Sequence, residues 1–175
     1  MGSMALFGLA PMLSSFLYVL FPLPLLAYLL LKWRGYRDAT AQDPYLGAWV
    51  IAGYFRTLAL QVVLVGTTLA LYAAILLKYG SEAKTGLGLL LGGLPAFLLG
   101  RRLTCRRPAA QQALRLYDGF NLVVVGVLAF AALAIAGVVA FHGEWDDLRL
   151  PLAALLVYGP SLYCLGRKLG LPAAG

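Results

Sequence analysis

Charge is the scarcest property of this 175-residue chain. Asp, Glu, Lys and Arg together make up 12% of it, against about 25% in soluble domains. A soluble fold of this size would lack the polar residues needed to cover its surface. Histidine is almost absent. His142 stands alone, which excludes bis-histidine haem ligation within one chain and a histidine-rich zinc site. There are two cysteines, Cys105 and Cys164, and no Cys-x-x-Cys pair. A disulfide scaffold and membrane thiol–disulfide exchange are therefore set aside. The seven carboxylates all read as loop or helix-end residues, with none inside an apolar run. A proton- or sodium-coupled carrier usually needs such a group. A glycine-rich phosphate loop, a selectivity-filter sequence and the paired-carboxylate motif of phospholipid synthesis are also missing. The expectation is a protein with no cofactor, no catalytic constellation and no metal site. The one polar loop with metal-like content, residues 142–147, reads as a solvated turn.

What the chain does have is apolar residues, 62% of the total, with a mean hydropathy of +0.84. They fall into five stretches, at about residues 6–31, 57–77, 86–99, 122–141 and 148–165. A helix needs about 20 residues to cross the hydrocarbon core, so the third stretch must borrow flanking residues. The reading is an all-α integral membrane bundle of about five spans in one transmembrane domain over residues 1–175. A first span covers residues 1–33, a first hairpin 44–103 and a second hairpin 108–170.

The basic residues set the orientation. Eleven of the fourteen (Lys32, Arg34, Arg37, Arg56, Arg101, Arg102, Arg106, Arg107, Arg115, Arg167 and Lys168) fall on one side of a five-span chain. The other side holds Lys78, Lys84 and Arg149 against Glu82, Glu144, Asp146 and Asp147. The expectation is a multi-pass cell-membrane protein with its N-terminus outside and its C-terminus in the cytoplasm. The excess of basic residues then reflects topology, not a nucleic-acid footprint.

The two hairpins resemble each other. Asp43-Pro44 and Arg107-Pro108 precede their first helices, and Pro is favoured at the first helical position. Gly100-Arg101-Arg102-Leu103 and Gly166-Arg167-Lys168-Leu169 close their second helices, 66 residues apart. Pro95 and Pro160 interrupt those closing helices at nearly matching places. This suggests a parallel duplication. The opening helices, from Pro44 and from Pro108, are longer than a membrane, so residues 44–56 and 108–121 are expected to project or bend at the cytoplasmic face.

Three groups of candidate residues follow. Gly88, Gly92, Ala96 and Gly100 place small residues every four positions, a surface that lets another backbone approach closely, within the bundle or between copies. Gln61, Thr67, Thr68, Asn121 and Ser161 are the polar side chains left inside the spans, candidates for a pore lining or for helix–helix hydrogen bonds. Arg56, Arg101, Arg102, Arg106 and Arg107 are candidates for contact with anionic headgroups. Membrane lipids, further copies or other membrane subunits are the partners this implies, with no nucleic acid. The functional expectation is a non-enzymatic oligomer, a small channel or permeation-related protein. The alternatives are an accessory or assembly subunit of a membrane complex and, third, a lipid-modifying enzyme working through Arg56.

Overall fold

Among the belts of the sequence that carry no charge are residues 57–75, 85–100, 119–141 and 150–166. Each lies inside a helix. The structure, a computed structural model, describes residues 22–35, 45–75, 80–104, 108–143 and 145–170, and every regular element in them is α-helical. The helices are α1 (Leu23–Gly35), α2 (Leu46–Ile75), α3 (Ser81–Thr104), α4 (Pro108–His142) and α5 (Arg149–Lys168). Three of them, α2, α3 and α4, contain segments long and apolar enough to cross a membrane. The third stretch does borrow its flanks, since α3 runs for 24 residues, about 36 Å at 1.5 Å per residue. α5 is shorter and less apolar, with 20 residues and basic side chains at both ends. Residues 6–21 of the first apolar stretch lie outside the described residues, and its described part is the short apolar helix α1.

The outer surface supports the membrane reading. Leu91 is 78% exposed and Phe141 92%, with Phe130, Leu133, Val127 and Leu156 also outside. Such a continuous apolar exterior would drive a soluble protein to associate, whereas lipid tails accept it. Lipid also removes the hydrophobic drive for helices to pair, leaving van der Waals fit and interhelical hydrogen bonds. Fit is where the glycines act.

α2 is the central helix and packs against all four others, most extensively against α3. The α2–α3 seam follows an antiparallel register in which paired residue numbers sum to 156. A Cβ on Gly100 would lie 3.0 Å from Arg56 Cβ, one on Gly93 3.1 Å from Val63 Cγ2, and one on Gly86 2.7 Å from the Ala70 nitrogen. Gly86, Gly93 and Gly100 recur every seven residues. With Ala83, Leu90 and Phe97, each three residues before one of them, they make a heptad stripe, the pattern of left-handed helix pairs. α2 answers with Ala59, Val63, Gly66, Ala70 and Ala73 at matching three- and four-residue steps. A Cβ on Gly66 would meet the Gly86 carbonyl at 3.0 Å, so backbone touches backbone here.

This differs from the four-residue stripe expected from sequence. Only Gly100 of that stripe is buried in the seam. Gly88, Gly92 and Ala96 are exposed, and a Cβ on Gly88 or Gly92 would meet nothing within 4 Å. The physical reason is angular drift. A four-residue step advances 40° past a full turn at 3.6 residues per turn, so the stripe winds off the contact face. Alternating three- and four-residue steps stay on it.

Two clusters tie the remaining helices together. Leu64, Val125, Ala129, Val157 and Tyr158 form the core between α2, α4 and α5. Ala27, Val50, Ala113 and Tyr117 join α1 to the first turns of α2 and α4. The N-terminal ends of α2 and α4 therefore do not stand free. They pack on each other and on α1, with the Tyr117 ring over Gly53, where a Cβ would lie 2.7 Å from the ring.

Candidate functional site

At one end of the bundle four helix ends meet: the start of α2, the end of α3, the start of α4 and the end of α5. Among the described residues this end carries most of the basic side chains. Arg56 and Asp118 are each the eleventh residue of their helix, so antiparallel hairpins bring them to the same depth. From Arg56 to the end of α2 is about 28 Å, close to the hydrocarbon thickness of about 30 Å. Residues 56–75 alone are thus about long enough to cross the core, with Arg56 in the first turn of that segment.

Asp118 is the centre of an ionic layer. Arg56 Nη2 lies 3.9 Å from Asp118 Oδ1, and Lys168 Nζ donates to Asp118 Oδ2. The Asp118 side chain is only 8% exposed and Arg56 14%, whereas Lys168 is 49% exposed. Arg56 Cζ also lies 5.8 Å from the centre of the Phe97 ring on α3, within cation–π range. One carboxylate on α4 thus holds cations from α2 and α5. This corrects the sequence expectation that no helix interior holds a buried acid. It also removes that absence as an argument against ion-coupled carriers.

An amide layer lies next to it. Gln61 Nε2 donates to Asn121 Oδ1 at 2.9 Å, and Asn121 Nδ2 donates to Thr57 Oγ1 at 3.3 Å. All three residues are buried. The other candidate pore residues turn back on their own helices. Thr67 Oγ1 donates to the Val63 carbonyl at 2.7 Å, Thr68 Oγ1 to Leu64 at 2.9 Å and Ser161 Oγ to Val157 at 2.7 Å. Gln61 and Asn121 come together, Thr67 and Thr68 do not join them, and Ser161 faces a separate cleft.

Asn121→Leu is expected to destabilise the bundle by about 1 kcal/mol, the scale of interhelical hydrogen bonds in membranes. Gln61→Leu combined with it should restore part of the loss, because no buried amide is then left without a partner. Thermal denaturation of the single and double variants in detergent checks this. Additive losses would mean that the two amides do not act as a pair.

The cleft has a volume of about 490 Å3 and is walled by α2, α3, α4 and α5. Its polar rim is Arg56, Arg101, Lys168, Asp118 and Gln111, and its deeper wall is apolar, with Leu60, Leu64, Leu114 and Leu165. Among the described residues that line the cleft, three cations stand against one carboxylate. Of the expected anion-contact residues, Arg56 and Arg101 line the cleft, Arg102 is exposed on α3, and Arg106 and Arg107 lie outside the described residues. Cys164 is a free, exposed thiol on the cleft wall, while Cys105 lies outside the described residues.

Sequence reasoning missed Asp118 and the role of Lys168. The available signal was depth. Arg56 follows Pro44 by twelve residues and Asp118 follows Pro108 by ten, so opposite charges stand at nearly equal heights in neighbouring helices. At the other end of the bundle Arg149 Nη2 pairs with Asp146 at 2.7 Å. His142 Nδ1 bonds the Val138 carbonyl at 2.9 Å, and Glu144 lies outside the described residues. Among the described residues no group of three potential metal ligands converges. No family model, curated protein or solved structure matches this chain.

Proposed function

We propose that this multi-span membrane protein binds an anion-headed amphiphile in the cleft at its basic end, without transforming it, as a lipid-handling or accessory component. The observation that carries the reading is the cleft itself, with cations at the rim and leucines in the wall. That combination suits a molecule with a charged head and an apolar tail. The volume lies within the range of about 300–1,000 Å3 common for small-molecule sites. The rim cations come from three helices, and Arg56 among them has only 14% of its side chain exposed, which strengthens its hold on an anion relative to exposed side chains.

In this proposal α5 and the first apolar stretch also cross the membrane. α5 is about 30 Å long at 1.5 Å per residue and packs along α2 and α4. The basic end faces the cytoplasm, as the excess of Lys and Arg there favours. A cysteine introduced at Gly143 should react with an impermeant thiol reagent added from outside, and one at Thr104 should not. The reverse pattern would sink the orientation.

A second reading is an oligomeric permeation protein. It is favoured by the outward-facing Gly88, Gly92 and Ala96, which floor an apolar groove of about 290 Å3 beside Phe55 and Val62. Native mass spectrometry of the purified chain in detergent separates the two. Retained anionic lipid that disappears in Arg56→Gln/Lys168→Gln supports the cleft reading. A ring of copies with no retained lipid supports permeation.

A further inference from the structure

We infer that the end of α5, residues 161–168, is a hinged gate on the cleft, turning at Gly159-Pro160-Ser161 and latched by the Lys168–Asp118 ion pair. The hinge stands on α5 itself; what passes the gate is the amphiphile of the reading above, on which that part rests. The first observation is where α5 touches the cleft. It contributes Ser161, Cys164, Leu165 and Lys168, spaced to lie on one helical face. All four follow Pro160. The residues that fix α5 in the bundle mostly precede it. Pro151, Ala153, Val157 and Tyr158 are buried, against Gly166 alone beyond Pro160. Leu162 and Leu165 rest on the core but are only partly buried. One half of the helix is thus anchored, and the other forms a cleft wall.

The second observation is the chemistry of the junction. Pro160 lies inside the helix. It has no N–H for the Leu156 carbonyl, and its ring crowds that carbonyl. Gly159 before it adds backbone freedom, and a Cβ there would meet nothing within 4 Å. Ser161 after it turns its hydroxyl back to the Val157 carbonyl at 2.7 Å, a bond that bends helices. Sharp bends concentrate at proline and at Gly/Ser pairs, and here all three residues stand together. Pro95 in α3 differs. Gly93 and Gly100 pack on α2 on either side of it, so α3 is held across its proline.

The third observation is the latch. α5 packs against α2 and α4, and the cleft lies between it and α3. Near the end of α5, Lys168 Nζ donates to Asp118 Oδ2. With 49% of its side chain exposed, Lys168 can leave Asp118 for water at little cost, and Asp118 keeps Arg56 beside it. An anionic head entering the cleft competes with Asp118 for the same ammonium. Ligand entry and latch release are then one exchange of partners.

The test reads the hinge by amide hydrogen exchange and the gate by lipid exchange, on the full chain in detergent–phosphatidylcholine micelles. Bound dioleoyl phosphatidylglycerol is chased with its deuterated form and followed by native mass spectrometry. Gly159→Ala, for which there is room, should slow amide exchange across residues 162–168 as a block by about two- to fivefold, the effect of that change within a helix. Pro160→Ala should slow it further. Both should slow the lipid chase and leave the equilibrium amount of bound lipid unchanged, since neither residue lines the cleft. Lys168→Gln should speed exchange of the same block by up to about fivefold and leave residues 152–158 as they are. Fraying from the helix end would ignore a substitution at Gly159, so unchanged amide exchange in both hinge variants overturns the inference. A stiffened hinge with an unchanged lipid chase overturns the gate. Phosphatidylglycerol retained in either case leaves the amphiphile reading standing. Phosphatidylglycerol bound no better than phosphatidylcholine overturns that reading, and block-wise amide exchange then still decides the hinge.

Discussion

Gly93→Leu is expected to abolish the native α2–α3 pairing, while Gly92→Leu, one residue away, leaves it intact. A Cβ on Gly93 would lie 2.9 Å from Val62 Cγ1, 3.1 Å from Val63 Cγ2 and 3.3 Å from the Val63 nitrogen. Two of these atoms belong to β-branched side chains, which are stiff about χ1, and the third is helix backbone. None can retreat without moving α2. Overpacking typically destabilises by about 1–3 kcal/mol, and a leucine set against backbone belongs at the top of that range. The harm goes beyond the clash itself. Helices in lipid are held by close contact and hydrogen bonds, and a wedge at Gly93 lifts α3 from Gly66 and Arg56 as well. Around Gly92 there is open space, and a leucine there extends into lipid. Thermal denaturation in detergent, read by helical circular dichroism and by elution profile, should separate the pair. Gly86→Leu is expected to behave like Gly93→Leu, since its Cβ would lie 2.7 Å from the Ala70 nitrogen. Equal melting of Gly92→Leu and Gly93→Leu would mean that the seam is elsewhere. Should Gly92→Leu change only the oligomeric mass, the outward stripe is a contact between copies.

The contrast between Gly92 and Gly93 also marks how far the sequence can be read. That the chain is helical and multi-span follows from the uncharged belts, and the helices begin and end close to where charge and Pro108 place them. The glycines of α3 were visible as packing residues, yet a four-residue stripe and a seven-residue stripe overlap at Gly100. Choosing between them requires the crossing geometry of two helices, which no single helix contains. Asp118 was hidden for a related reason. Read alone it belongs to a polar run, Arg115-Leu116-Tyr117-Asp118, that looks like a solvated helix end. It becomes buried because α2 and α5 bring Arg56 and Lys168 across it, contacts that span 62 and 50 residues of sequence. The amide layer was half legible. Gln61 and Asn121 stood out as polar groups in apolar runs, and their pairing came only with the register of α2 on α4.

The second large effect is expected at Asp118. Asp118→Ala removes the carboxylate that holds α2, α4 and α5 together and leaves two cations facing each other. Breaking a buried pair by deleting one partner destabilises by about 3–5 kcal/mol, because the remaining charge is uncompensated. The value here should fall at or below the lower end of that range, because the two cations are unequally buried. Lys168, with 49% of its side chain exposed, can swing to water, and half-exposed pairs contribute about 0–1 kcal/mol. Arg56, with 14% exposed, is confined between Phe97 and Gly100 and has less room to reach the headgroup layer. The expected order of melting temperatures is therefore wild type, then Lys168→Gln close behind, then Arg56→Gln, then Asp118→Ala lowest. The decisive variant is the double replacement Arg56→Leu/Asp118→Leu. Replacing both members of a buried pair by apolar residues is often neutral or stabilising, so it should melt well above Asp118→Ala. If Asp118→Ala melts with the wild type, the carboxylate is solvated and the ionic layer holds nothing together. If the double variant regains stability but no longer retains anionic lipid, the layer is not required for folding. The charges at this end of the bundle then persist for what they bind.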